Sequence, residues 1–144
     1  MNFLENYPNL ISAIGLLTLL HIVQLIVLDI TGILSKHKPG STVAVDHNSF
    51  LFRASRAFGN TNETIAIFIL SSLFCIFVNA SPVVTEGAAW AYVLARVLYA
   101  VCYYANLQLF RSIVFGVSLL SLIVMFAAGV FACCLLYTSD AADD

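Results

Sequence analysis

Four long apolar stretches dominate the pattern of hydrophobic and polar positions along the chain. A helix needs about 20 mostly apolar residues to cross the hydrocarbon of a bilayer. The stretches that reach this length are 10–34, about 50–78 with its continuous apolar part from 64, 88–110 and 113–136. They predict an all-α integral membrane fold, a bundle of four transmembrane helices.

The polar connections between these stretches predict the orientation of the bundle. Lys36, Lys38, Arg53 and Arg56 lie between the first apolar stretch and the continuous apolar part of the second, and Arg111 lies between the last two stretches. In a four-helix chain these two connections lie on the same side of the membrane. Basic connections favour the cytoplasm. The pattern therefore predicts that both termini lie on the non-cytoplasmic side.

The composition agrees with a membrane protein and excludes several other classes. Hydrophobic residues make up 61% of the chain and charged residues 10%, against roughly 45–50% and 25% in soluble domains. Six basic residues and a formal charge of −2 are too few for a surface that tracks nucleic-acid phosphates. The cysteines lie in apolar runs without CxxC spacing, which predicts buried packing thiols and no metal site. They are Cys75, Cys102, Cys133 and Cys134.

The last eleven residues differ in character from the rest of the chain. Residues 134–144 read CLLYTSDAADD and resemble a translated transposon-end sequencing adapter. We therefore expect a single membrane domain over residues 1–133, followed by a non-native tail over 134–144. Such a tail is kept out of reasoning about the fold.

Two polar stripes interrupt the predicted spans. Residues spaced by three and four positions share one face of a helix. The second helix carries such a stripe in Arg53, Arg56, Asn60 and Glu63. The third helix carries another in Tyr92, Arg96, Tyr99, Tyr103 and Asn106. Charges within a span are costly unless they are paired or face a wet cavity, so the stripes are expected to face one another.

The depth of the charged residues suggests how the stripes meet. Measured from Arg53, Glu63 lies roughly 15 Å along the second helix, and Arg96 lies roughly 21 Å before Phe110 on the third. These depths predict an ion pair between Glu63 and Arg96. Such a pair could serve a ligand site or could equally serve only to hold the bundle together. The remaining arginines leave a surplus of positive charge, which suits a small polyanionic ligand.

Three motifs resemble those of the MAPEG family, the membrane-associated proteins in eicosanoid and glutathione metabolism. They are RASRAFGNTNET at 53–64, ARVLY at 95–99 followed by Tyr103, and Arg111 with Ser112. The similarity extends over the chain up to Cys133. The resemblance implies a homotrimer of four-helix subunits that binds glutathione between subunits near the cytoplasmic side.

The resemblance also implies roles for individual residues. Arg111 matches an arginine that stabilises the glutathione thiolate, and Ser112 matches a neighbouring serine, so these two are the expected catalytic residues. The other positions that match the family's motifs, together with the polar stripe of the second helix, predict the residues that bind glutathione. They are Arg53, Arg56, Asn60, Glu63, Arg96, Tyr99 and Tyr103. Phe58, Gly59 and Phe115 depart from polar or basic residues of some members, which argues against a mammalian-type eicosanoid substrate.

The leading hypothesis is a MAPEG-like glutathione transferase or peroxidase of the bacterial inner membrane. It would act on a lipophilic electrophile or lipid hydroperoxide that reaches the site from the bilayer, with membrane lipids and its own copies as partners and no nucleic acid. Two alternatives remain open. One is a non-enzymatic protein of the same fold whose stripes serve assembly, and the other is a small efflux transporter that uses Glu63 as a proton and cation site.

Overall fold

The computed structural model describes residues 3–140, and its regular elements are all helices. A short helix, α1 (Phe3–Asn6), precedes four long ones. These are α2 (Pro8–Leu34), α3 (Phe50–Phe77), α4 (Pro82–Tyr104) and α5 (Gln108–Asp140). The all-helical architecture predicted from the apolar stretches is confirmed.

Three of the long helices are long and apolar enough to cross a membrane. They are α2, α3 and the part of α5 from Gln108 to Thr138. The fourth predicted span, α4, forms a helix of 23 residues but does not reach the same apolarity. Its interior holds Arg96 and a run of tyrosines, and these lower its mean hydropathy. Hydropathy therefore identifies three of the four predicted spans, and α4 is assigned to the bundle because it packs among the other three helices.

Local signals set the ends of the helices. The hydroxyl of Ser49 accepts a hydrogen bond from the Phe52 N–H and caps α3. Pro8 and Pro82 occupy the first turns of α2 and α4, where a missing N–H costs no helical hydrogen bond. After α4, Asn106 adopts a left-handed conformation with φ of 58°. The Leu107 N–H then donates to the Cys102 carbonyl over 2.8 Å, which closes the helix and reverses the chain.

This turn corrects the predicted boundary between the third and fourth helices. The continuous apolar run suggested that the third helix continues to 110 and that the break falls at Arg111. Instead α4 ends at Tyr104, and Arg111 lies in the first turn of α5. An asparagine tolerates the left-handed conformation better than most residues, so Asn106 ends the helix at a point where two amide side chains, Asn106 and Gln108, interrupt the apolar run.

The apolar core lies where the N-terminal part of α2 meets α3, α4 and α5. It includes Leu10, Phe68, Tyr92 and Met125, all with 0% exposure. The Tyr92 ring stacks on Phe68 with 4.7 Å between centroids, and its hydroxyl lies 2.8 Å from Thr64 Oγ1. Tyr7 donates to the Ala80 carbonyl over 2.6 Å. Of the stripe residues, Tyr92 belongs to this core, and the others lie toward the opposite end of the bundle.

The cysteines and the C-terminal segment depart in part from expectation. Cys75 and Cys102 are buried as predicted, but Cys133 and Cys134 are exposed, so the prediction for these two is wrong. With 33 residues against 23, α5 is about 15 Å longer than α4, and its last turns extend past its main packing partner. The helix continues through the predicted domain boundary to Asp140. Residues 141–144 of the predicted tail lie outside the described residues.

Candidate functional site

A buried arginine organises the contact between α3, α4 and α5. Arg96 has 0% exposure. Its Nη2 donates to Asn60 Oδ1 over 3.0 Å and to Thr61 Oγ1 over 3.4 Å. Its Nη1 donates to Ser118 Oγ over 3.4 Å. A buried charge is costly unless its donors find acceptors. Here three neutral oxygens from two neighbouring helices accept from the two Nη groups, while Nε has no hydrogen-bond partner within the described residues.

The predicted pairing of Arg96 with Glu63 is wrong for this subunit. The side chain of Glu63 is exposed, and the acceptors of Arg96 are the three neutral residues. Glu63 lies three residues beyond Asn60, which places it about 60° away around α3 and one turn further along it. Asn60 and Thr61 occupy the positions that meet Arg96, and the side chain of Glu63 remains exposed beyond them.

The corrected helix end explains the difference in depth. Arg96 lies eight residues before the end of α4 at Tyr104, or about 12 Å. Asn60 lies ten residues after the start of α3 at Phe50, or about 15 Å, and Glu63 lies about 20 Å from that start. Arg96 is thus level with Asn60, one turn short of Glu63.

Two tyrosines connect Arg96 to a second arginine. The guanidinium of Arg96 lies over the Tyr99 ring, 4.6 Å from its centroid. The Tyr99 and Tyr103 rings meet edge to face at 5.0 Å. The guanidinium of Arg111 lies over Tyr103 at 4.4 Å. Cations are attracted to the faces of aromatic rings, so this stack holds Arg111 of α5 in place against α4.

Arg111 borders an open recess of about 210 Å³. The recess is lined by Asn60, Tyr99, Arg111, Ser112 and Phe115. Asn60 Oδ1 accepts from Arg96, which leaves the Nδ2 group of the same side chain as a donor. A guanidinium, an amide N–H, a phenol and a hydroxyl thus border one space that has no acidic lining residue. This set of donors can bind an anionic group.

The structure separates the other predicted site residues from this recess. Arg53 donates through Nη1 to the carbonyls of His47 at 2.7 Å and Asn48 at 2.9 Å, so it fastens the loop before α3. Arg56 and Glu63 are exposed on α3. Of the predicted set, Asn60, Tyr99, Arg111 and Ser112 line the recess. Arg96 lies behind Asn60, and Tyr103 lies beneath Arg111.

Sequence reasoning missed Thr61 and Ser118, which hold Arg96, and it did not place Phe115 in the recess. The two hydroxyl residues carried an available signal. An arginine inside a span has five N–H donors, and a single carboxylate cannot satisfy them all. Hydroxyl residues on the neighbouring helices were therefore to be expected around Arg96. Phe115 lies four residues after Arg111 and so shares its face of α5, a spacing that could have marked it as a lining residue.

Comparison with known proteins identifies the family. The model of the MAPEG family matches residues 10–131, which span α2, α3, α4 and most of α5 and include every residue that lines the recess. A comparison with curated proteins finds no match. The family match agrees with the three apolar helices, and together they indicate a multi-pass integral membrane protein. The resemblance seen in the sequence motifs is confirmed: the chain belongs to the MAPEG family.

Proposed function

We propose that the recess beside Arg111 binds glutathione and that the protein transfers it to a lipophilic electrophile. The observation that supports this proposal most strongly is the convergence of Asn60, Tyr99, Arg111 and Ser112 on one open space. Glutathione carries two carboxylates and a thiol, and each of these can accept hydrogen bonds in its anionic form. A cationic, donor-lined recess suits such a ligand.

Arg111 has the chemical role of stabilising the thiolate. A thiolate is the nucleophilic form of a thiol, and a neighbouring arginine favours it over the thiol. The thiol proton passes to solvent, and the sulfur forms a bond to an electrophilic carbon of the acceptor, whose leaving group departs with the electron pair. Ser112 adds a hydroxyl donor beside the sulfur. The protein supplies position and charge, and glutathione supplies the reacting atom.

The exposed charges of α3 support assembly into a homotrimer with further contacts to the ligand. Glu63 lies about 20 Å along a helix of 28 residues, near its middle, yet its side chain and that of Arg56 are exposed in the single subunit. Charges at this depth do not face hydrocarbon without a large cost. A neighbouring copy that covers this face would remove the cost. Arg56 and Glu63 then have a role at the subunit boundary.

The size of the recess agrees with a site that two subunits share. About 210 Å³ is below the roughly 300–1,000 Å³ of typical small-molecule sites. One subunit therefore offers part of the space that a tripeptide needs. We place the recess on the cytoplasmic side of a bacterial inner membrane. The basic residues around the α2–α3 connection and Arg111 lie at this end of the bundle, and such residues favour the cytoplasm.

Titration of the purified protein in lipid nanodiscs with glutathione tests the proposal. We expect saturable binding at millimolar glutathione and a weakening of at least about tenfold in Arg111→Gln, which removes a charge-assisted contact. Lys38→Gln is the matched control, because it removes the same charge from an exposed loop position and leaves binding unchanged. Absence of binding by the unaltered protein would refute the proposal and favour a non-enzymatic role for the polar residues.

A further inference from the structure

A second cavity lies at the same end of the subunit but between different elements. It has a volume of about 500 Å³ and lies between the C-terminal part of α2, the loop that follows it and the first turns of α3. Its walls are largely apolar, with Leu28, Ile33, Val43 and Leu51 among the lining residues. The volume falls within the range of small-molecule sites, which are typically apolar with a few polar groups.

The loop that closes this cavity is held in a defined conformation. His37 Nε2 lies 3.1 Å from the Ser41 carbonyl and 3.3 Å from its hydroxyl. Gly40 has a φ of 78°, a conformation that glycine adopts without strain. His37 and Gly40 both line the cavity. The wall on the loop side is therefore built by specific contacts.

Asp29 is the one formally charged residue among those that line the cavity, with the histidine neutral. Its carboxylate has no hydrogen-bond or ion-pair partner within the described part of the chain. An acidic group beside apolar walls is complementary to a molecule with a cationic head and an apolar body. The recess beside Arg111 has the opposite character, so the two cavities are suited to ligands of opposite charge.

Gly32 keeps one wall of the cavity open. It lies in the last turn of α2, and a Cβ at this position would meet no heavy atom within 4 Å. Gly32 lines the cavity, and a larger side chain here would project into open space. The absence of a side chain preserves room beside Asp29.

We propose that this cavity binds a lipophilic amine, with the protonated amine against Asp29 and the apolar part against Leu28, Val43 and Leu51. The proposal rests on the shape and charge of the cavity and is independent of glutathione binding. A carboxylate-bearing amphiphile would meet the Asp29 carboxylate as a like charge and is excluded by it.

Isothermal titration calorimetry in zwitterionic lipid nanodiscs tests this proposal, with phenylbutylamine and its uncharged analogue phenylbutanol as probes. We expect both probes to bind and the amine to bind about fivefold more tightly, as for a partly exposed ion pair. Asp29→Asn removes this preference. Asp46→Asn is the matched control, because Asp46 is exposed in the same loop region but does not line the cavity, and it keeps the preference.

Gly32→Leu provides a second variant that does not depend on charge. A Cβ at this position meets no heavy atom within 4 Å, so we expect the leucine side chain to extend into the cavity and to abolish binding of both probes while helix content and thermal unfolding are maintained. Equal affinity for amine and alcohol, equal losses in Asp29→Asn and Asp46→Asn, or unchanged binding in Gly32→Leu would each overturn the proposal. So would the absence of saturable binding by the unaltered protein, which is the result expected if a neighbouring subunit fills the cavity.

Discussion

Arg96 and Asn60 form the central polar contact of the subunit, with 3.0 Å between Nη2 and Oδ1. The contact joins α4 to α3 and gives Asn60 two functions. Its oxygen satisfies a buried cation, and its amide nitrogen is left to face the recess. The stability of the bundle and the chemistry of the recess thus meet in one side chain.

Substitution at Asn60 can separate these two functions. Asn60→Asp retains an oxygen acceptor for Arg96, so we expect the free energy of unfolding to stay within about 1 kcal/mol of the original. The same change replaces the amide donor by a negative charge and should weaken glutathione binding by at least about tenfold. Asn60→Ala should instead cost about 1–3 kcal/mol of stability, since Arg96 loses an acceptor. Chemical unfolding in detergent measures the effect on stability, and glutathione titration measures the effect on binding. Undiminished glutathione binding by Asn60→Asp would contradict the role given to the amide donor.

A double-mutant cycle checks the correction at Glu63. The cycle compares Glu63→Gln, Arg96→Gln and their combination. Because Glu63 is exposed and the donors of Arg96 bond to Asn60, Thr61 and Ser118, we expect a coupling free energy of unfolding below about 0.5 kcal/mol. The matching cycle with Asn60→Ala and Arg96→Gln should give a clearly larger coupling. If the Glu63 cycle gave the larger value, a direct ion pair would exist.

The ring of Tyr103 supports Arg111, which gives it a role different from that of a hydroxyl donor. Tyr103→Leu removes the ring face beneath the guanidinium and should weaken glutathione binding by about 0.5–2 kcal/mol, the range of a cation–π contact. Tyr103→Phe keeps the ring and should retain most of the binding. Titration of both variants distinguishes the roles. Equal losses in the two would show that the hydroxyl is the important group.

Gly129 allows α5 to approach α3 closely. A Cβ at this position would lie 2.6 Å from Cδ1 of Phe74, well inside contact distance, so Gly129→Ala should destabilise the protein by about 1–3 kcal/mol. Gly116→Ala is the control on the same helix, because a Cβ there meets nothing within 4 Å. The control should be neutral or stabilise by up to about 1 kcal/mol. Thermal unfolding of the two variants in detergent provides the comparison, and a neutral Gly129→Ala would show that the Phe74 ring can move aside without cost.

The sequence predicts the helices and the polar stripes well because their signals are periodic. Apolar length identifies the helices, and spacings of three and four residues place Asn60, Arg96 and Tyr99 on facing sides. The end of α4 could not be read in the same way. Asn106 stops the helix through its backbone conformation, but its polar side chain also continues the spacing of the stripe on the third helix, so the sequence did not mark it as a helix end.

That single boundary accounts for the main error at the site. Because α4 ends at residue 104 and not at the predicted 110, Arg96 lies about 9 Å nearer to the end of its helix than the sequence suggested. The residue level with Arg96 therefore changes from Glu63 to Asn60. The hydroxyl acceptors Thr61 and Ser118 were missed for another reason. The five N–H donors of Arg96 indicate that hydroxyl acceptors are needed, but which hydroxyls supply them depends on the rotation of each helix about its own axis.

The pH dependence of glutathione thiolate absorbance tests the central claim most directly, because it reports the chemistry that Arg111 is proposed to perform. A free thiol has a pKa of about 8.5. With the protein in excess, we expect bound glutathione to titrate with a pKa clearly below that of free glutathione. In Arg111→Gln, at glutathione concentrations that still give occupancy, the pKa should return toward the free value. A bound thiol that titrates like free glutathione in the unaltered protein, or a lowered pKa that persists without Arg111, would contradict the account.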